Sequence, residues 1–325
     1  MQKIESKNVC SLQGFVRALT RLYPLAYVDT ERYFRGESKD FNEGACTPSI
    51  YRSLGLLNNE PNIYREMQRF NDQEFRDDKT TFDKLSRMQH YSAPTRLIDM
   101  SEDALSALYF ALTEGQPEDP KTDAKEEVNP VVYVIDVALK KLCYYDSDKV
   151  SVVANLVKSP LIDSTQKNKQ AIASDALKYR DDIDTFNKQD SIKFLLHDIK
   201  EEKPYFSNII DPKHIFSVQC IKPKFTHSRI NSQKGAFLLF GLNPDDIRQN
   251  IRLIGRCGDD FCLCHKPNRE IQHPVERITK IVIKADAVKR MRDDLKLIGI
   301  KTPFIYPEMD KVADYLKQTL GTKRG

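Results

Sequence analysis

No apolar run in this sequence approaches the roughly 18 residues that a membrane-spanning helix needs, so a membrane partner is not expected. The opening residues, MQKIESKNVCSLQGF, lack the apolar segment of a secretory signal, and a cytoplasmic location is expected. The seven cysteines are odd in number and have no framework spacing, which fits reduced thiols better than disulfides. There is no Walker loop, no His-Glu-x-x-His and no Gly-x-Ser-x-Gly, so the commonest phosphate-binding, zinc-protease and esterase signatures are missing. Acid is missing from one stretch. Pro212 to Pro244 contains no Asp or Glu but includes Lys213, Lys222, Lys224, Arg229 and Lys234. Such a stretch can attract a polyanion, or it can be a set of solvated lysines guarding sheet edges.

What is present suffices for a core: 325 residues, 40% hydrophobic and 30% charged, with net charge +4 and mean hydropathy −0.54. Leu12, Phe15, Val16, Leu19 and Leu22 have helical spacing behind Ser11, a suitable N-cap. Tyr27 to Gly36 reads as a strand and residues 62–90 as helical, with Arg76–Lys79 as a turn or a solvated face. Thr95 to Asp99 reads as a strand, after which Ser101 caps a helix rich in small residues. Residues 131–137 form a buried strand, and further strands are expected at 214–221, 236–242 and 281–285. A helix from Val288 closes at Gly299, and a final amphipathic helix uses Met309, Val312, Ala313, Leu316 and Leu320. Without a regular βαβ rhythm, the pattern predicts an α+β fold. We expect one domain over 1–325, with its core at about 11–140 and 210–320 and residues 145–203 as a helical insertion or cap.

Three places concentrate polar chemistry. Phe34-Arg35-Gly36 ends a strand, where an arginine can fork two donors onto a phosphate or carboxylate and glycine allows close approach. Equally, Arg35 can pair with Glu37, Asp99 or Asp103 and tie the sheet together. His90 to Asp99 brings His90, Tyr91, Thr95, Arg96 and Asp99 between two helices, as a reactive cluster or as a self-satisfied connector. Gln233 precedes Gly235 and an apolar strand. Separately, Cys257, Cys262, Cys264, His265 and His273 are zinc-ligand types, but their spacing lacks paired Cys-x2-Cys knuckles. No metal is expected, and zinc at Cys257, Cys262, Cys264 and His265 is a minor alternative.

The blocks YFRGES (33–38), LSRMQHYSAPTRLIDMSEDALSALYFA (85–111), HSRINSQKGAFLLF (227–240) and GIKTPFIYPEMDKVADYL (299–316) resemble the FRG domain family. The chain departs from the family pattern at Glu37, Ser92 and Met100, where Gln, Gly and an aromatic residue are common. The order of the blocks also resembles ADP-ribosyltransferases, which implies a mixed split sheet flanked by helices. On that resemblance Arg35, Thr95 or Ser101, and Gln233 occupy the three motif positions. NAD is then the implied substrate, with Phe34, Arg35, Gly36, Tyr91, Thr95, Arg96 and Ser101 binding it. Arg35, His90, Asp99 and Gln233 are the implied catalytic residues. The implied setting is a bacterial toxin or phage-defence effector acting on nucleic acid, RNA before DNA, with an antitoxin as a partner. The rival reading is a non-catalytic module that senses a nucleotide or a protein. A nuclease or hydrolase is disfavoured, because no clear metal-binding set of carboxylates occurs.

Overall fold

The run Val131–Ala138 is buried at every position and forms one of the long strands of an eight-stranded mixed sheet. The computed structural model describes residues 3–22, 29–113, 128–164, 167–224, 235–257, 260–263 and 273–321. In chain order the strands are β1 (Glu5–Val9), β2 (Thr30–Glu37), β3 (Leu97–Ser101), β4 (Val131–Ala138), β5 (Leu142–Tyr144), β6 (Val218–Lys222), β7 (Gly235–Phe240), β8 (Ile254–Cys257), β9 (Asp260–Leu263) and β10 (Val275–Ile283). The large sheet runs β1-β10-β4-β2-β3-β7-β6-β5, and β8 and β9 form a separate hairpin. The pairs β1–β10 and β5–β6 are parallel and the rest are antiparallel.

One joint in this sheet is weak. β2 pairs with β4 over eight residues but with β3 through a single pair, Phe34 and Ser101. Beyond that pair the two halves part. The sheet also curls, because Glu31 on β2 meets Lys222 on β6 at 2.7 Å across two intervening strands. The concave face packs Tyr33, Tyr133, Ile98, Met100, Leu238 and Cys220 into one core. Strand alternation sends the other residues to the opposite face.

That opposite face carries two helical layers. Against the β1–β2 half, helices Leu12–Arg21, Ala104–Thr113 and Val288–Leu297 bury Phe15, Leu108 and Met291. Against the β3–β5 half, helix Thr81–His90 shares a core with helices Asp148–Asn155, Lys169–Lys178 and Asp190–Glu202. The helices within 145–203 therefore pack directly on Leu97, Phe237 and Leu239 of the sheet. A cleft remains beside helix Ala104–Thr113, at the weak joint.

Local signals explain most elements. Ser11 accepts from the Gly14 amide at 3.0 Å and starts the first helix. The helical pattern of 62–90 breaks into Glu60–Phe70, Asp72–Phe75 and Thr81–His90, the last capped by Thr80 with Asp83 answering in a capping box. His214, read as the start of a strand, lies instead in a helical turn, Pro212–Ile215, capped by Asp211. Proline at the first helical position is preorganised for that turn. The final helix, Met309–Gly321, buries no residue, and Met309, Leu316 and Leu320 of its apolar stripe stay exposed. Charge inside β4 is tolerated because Asp136 is bonded from both neighbouring strands by Arg32 and Arg277, each at 2.8 Å. Cys262 is disulfide-bonded, which corrects the expectation of seven reduced thiols. The side chain of Cys257 and all of Cys264 and His265 lie outside the described residues.

Candidate functional site

A pocket opens at the weak joint, lined by Phe34, Arg35, Gly36, Asp99, Met100, Ser101, Ala107 and Phe110. It encloses about 420 Å³ of empty space, part of it continuous with solvent. The tertiary structure thus joins the Phe34-Arg35-Gly36 tripeptide to residues 63 or more positions later in the chain.

Arg35 projects from the concave face of β2 and is held on two sides. Its Nε donates to Glu37 Oε1 at 3.0 Å, and its Nη1 donates to the Asp99 carbonyl at 2.9 Å. The second bond spans the gap where the strand ladder stops, so a side chain replaces a missing backbone bond. Nη2 makes no hydrogen bond with a described residue. Burial alone would depress the pKa of Arg35, but the charges of Glu37 and Asp99 reverse that and hold it above the usual value. Glu37 Oε1 also accepts from the Cys46 amide at 3.1 Å, which fastens the loop after β2.

Gly36 lines the pocket and also lies tight against the helix. A Cβ there would stand 1.9 Å from the Ala107 carbonyl oxygen and 2.7 Å from the Ala111 amide nitrogen. Only glycine lets Ala104–Thr113 lie this close to β2. That helix starts at Asp103, whose carboxylate accepts from the Leu105 and Ser106 amides at 3.0 and 3.1 Å. Ser101, expected to be the cap, sits two residues earlier and accepts from the Asp103 amide at 2.9 Å.

Asp99 is oriented by a residue the sequence reading passed over. Gln89 Nε2 donates to Asp99 Oδ1, and Gln89 Oε1 accepts from the Thr95 hydroxyl. Thr95 Oγ1 in turn accepts from the Leu97 amide at 3.1 Å, so its proton is committed to Gln89. The chain fixes which way the amide faces and leaves Asp99 Oδ2 without a hydrogen bond from any described residue. A signal for Gln89 exists: counting 82, 85, 86 and 89 along the helix puts it on the buried stripe that begins at Phe82.

The remaining expected residues lie elsewhere. Arg96 is 0% exposed, gripping Glu60 through Nε at 2.8 Å and Nη2 at 2.5 Å and the Phe240 carbonyl through Nη1 at 2.9 Å. Lys169 reaches the same carboxylate at 2.9 Å, so Arg96 ties three segments together beyond the reach of a ligand. Thr95 is buried, and its amide is bonded to Ser49 Oγ at 3.1 Å. His90 Nε2 lies 3.4 Å from Glu308 Oε1, and its ring meets Tyr91 edge-on. Tyr91 is 54% exposed and donates to Glu74 at 3.2 Å, on the outer surface. Neither His90 nor Tyr91 lines the pocket. The segment carrying Glu308 still reaches its rim, since Tyr306 packs edge-on against Phe110. Gln233 lies outside the described residues.

Residues 30–120 match the model of the FRG domain. The chain carries an FRG domain. The match contains β2, β3 and helix Ala104–Thr113, the elements around the FRG pocket, and takes in the first two of the four motif blocks. The blocks at 227–240 and 299–316 lie beyond it. No curated protein and no solved structure matches the chain.

Two surface properties complete the picture. Among the described residues no helix is long and apolar enough to cross a membrane, and no cluster of three His, Cys, Asp or Glu side chains is arranged to hold a metal. The stretch without acid in sequence is not without acid in space. Lys213, Lys222 and Lys224 are paired with Asp181, Glu31 and Asp83 at 3.9, 2.7 and 3.6 Å. Arg229 and Lys234 lie outside the described residues.

Proposed function

We propose that the FRG pocket binds NAD and that the protein is an ADP-ribosyltransferase acting on nucleic acid, RNA before DNA. The observation that carries this reading is the convergence of Arg35, Asp99, Ser101 and Phe34 on one cleft at the split between β2 and β3. A split mixed sheet with helices on one face also agrees with an ADP-ribosyltransferase-like fold. In the reaction, the bond between ribose C1′ and the nicotinamide nitrogen breaks, nicotinamide leaves neutral, and C1′ bonds to the acceptor. The transition state is positively charged at the ribose, and a fixed carboxylate lowers its energy. Asp99 Oδ2 is the oxygen suited to that task and to taking the acceptor's proton, because Gln89 restrains only Oδ1. His90, engaged by Glu308, is the secondary candidate for the proton. A toxin or phage-defence role in the cytoplasm, with an antitoxin as partner, belongs to the same proposal.

The test is to incubate the protein with labelled NAD and total RNA, DNA or protein. Label transfer that disappears in Asp99→Asn, with folding intact, supports transfer. A sensor is the second reading, favoured by the commitment of Arg96 and Thr95 to structural bonds. Nucleotide binding without loss of NAD would select it.

A further inference from the structure

We infer that helix Met309–Gly321 is a docking surface for a second copy of this chain, the two helices pairing antiparallel along the stripe of Met309, Leu316 and Leu320. The inference does not depend on the proposed function.

This helix differs from the rest. Every other described α-helix buries at least one residue, whereas this one buries none across 13. A helix of that length is marginal in water, and most helical stability in proteins comes from packing an apolar face. Val312 and Tyr315 are half-buried and hold one side of it. Beside them Met309, Leu316 and Leu320 are 88%, 47% and 61% exposed. With Ala313 these positions fall three or four apart, so they form one continuous stripe. No other described helix leaves more than one large apolar side chain so exposed.

Charge selects the occupant. Asp310 and Lys317 are seven positions apart and therefore lie on the same flank of the stripe. When two such helices face each other antiparallel, like flanks meet, and Asp310 of each copy comes within a turn of Lys317 of the other. The two-fold axis repeats the pair, as a self-complementary contact requires. Parallel pairing would set Asp310 against Asp310 and Lys317 against Lys317. Asp314 lies farther round the helix and is engaged by its own Lys317 at 3.2 Å. One helix from each copy buries less than a standard interface, so a dissociation constant on the order of 100 µM is expected.

The experiment is sedimentation velocity on the intact chain from about 1 to 500 µM, a range that brackets a weak constant. A monomer–dimer equilibrium is expected. Leu316→Glu should leave a monomer at every concentration, with unchanged thermal unfolding at low concentration, because Leu316 is already exposed. Asp310→Lys and Lys317→Asp should each weaken self-association about fivefold, the scale of two exposed ion pairs lost. Mixing these two variants should restore it, since each Lys then faces an Asp. A monomer at all concentrations overturns the inference and leaves the stripe to a different chain. A dimer that survives Leu316→Glu, or a mixture that associates no more tightly than either variant alone, overturns it as well.

Discussion

Arg35 on β2 donates to the backbone carbonyl of Asp99 on β3 at 2.9 Å, bridging the place where the ladder between the strands is reduced to one pair. The arginine is at once a structural stitch and a wall of the pocket. Its substitution therefore has two consequences that need separate measurement.

Arg35→Ala removes the partner of Glu37, a carboxylate that is itself buried. We expect a loss of about 3 kcal/mol in urea unfolding, since an unpaired buried charge is the dominant cost. Arg35→Ala combined with Glu37→Gln should recover part of that loss while ligand binding stays absent. If the double variant is no more stable than the single one, the pair is not what Arg35 contributes.

Gly36→Ala should be far more damaging than its size suggests. The added methyl overlaps the Ala107 carbonyl, so helix Ala104–Thr113 must move off the sheet. A cost of about 3 kcal/mol or more is expected, at or above the usual range for overpacking. A soluble variant with unchanged thermal stability would show that the helix shifts freely.

The buried trio Glu60, Arg96 and Lys169 gives a pH signature. Burial lowers the pKa of Lys169 to about 8, against the opposing pull of Glu60. The unfolded chain keeps that proton up to about pH 10.4, so between those values the unfolded state binds more protons and stability rises with pH. Lys169→Met should flatten this rise relative to the unaltered protein, read from unfolding at pH 7.5 and 9.5. The Glu60 carboxyl is held below its ordinary value, despite burial, by Arg96 and Lys169. Its contribution is present above the unfolded carboxylate pKa and is lost as acid titrates the folded state. Glu60→Gln should cost about 3–5 kcal/mol, because Arg96 is left buried without its counter-charge.

Ser92→Gly should stabilise. Ser92 has φ +59°, and the Ala93 amide reaches back to the Met88 carbonyl at 2.9 Å while the Ser92 amide reaches Gln89 at 3.0 Å. These two bonds form a Schellman closure, where a left-handed residue other than glycine costs about 1 kcal/mol. A gain of that order in thermal unfolding is expected. The same closure at the end of helix Val288–Leu297 already uses Gly299, with φ +92°.

Much of the architecture was legible because its causes are local. Ser11, Thr80 and Gly299 mark helix ends through bonds to residues three or four away. The apolar run 131–137 announces a buried strand through solvation alone. The pairing of Arg35 with Glu37 was open to view, since residues two apart share a face of a strand. Gln89 could have been found by carrying the helical count one turn past Leu85.

What the sequence by itself determined is this set of elements, their caps, and the FRG tripeptide at the end of a strand. It did not determine which charged side chain met which. Arg35 and Arg96 look alike as arginines in motif blocks. Yet one lines a pocket, and the other is sealed against Glu60, 36 residues away. Only the tertiary structure could decide, because burial and counter-charge belong to residues that chain folding brings together. The same holds for Gly36, which is glycine because a helix some 70 residues later lies against it. It holds for the pocket itself, which exists where a strand ladder stops rather than where any motif says so.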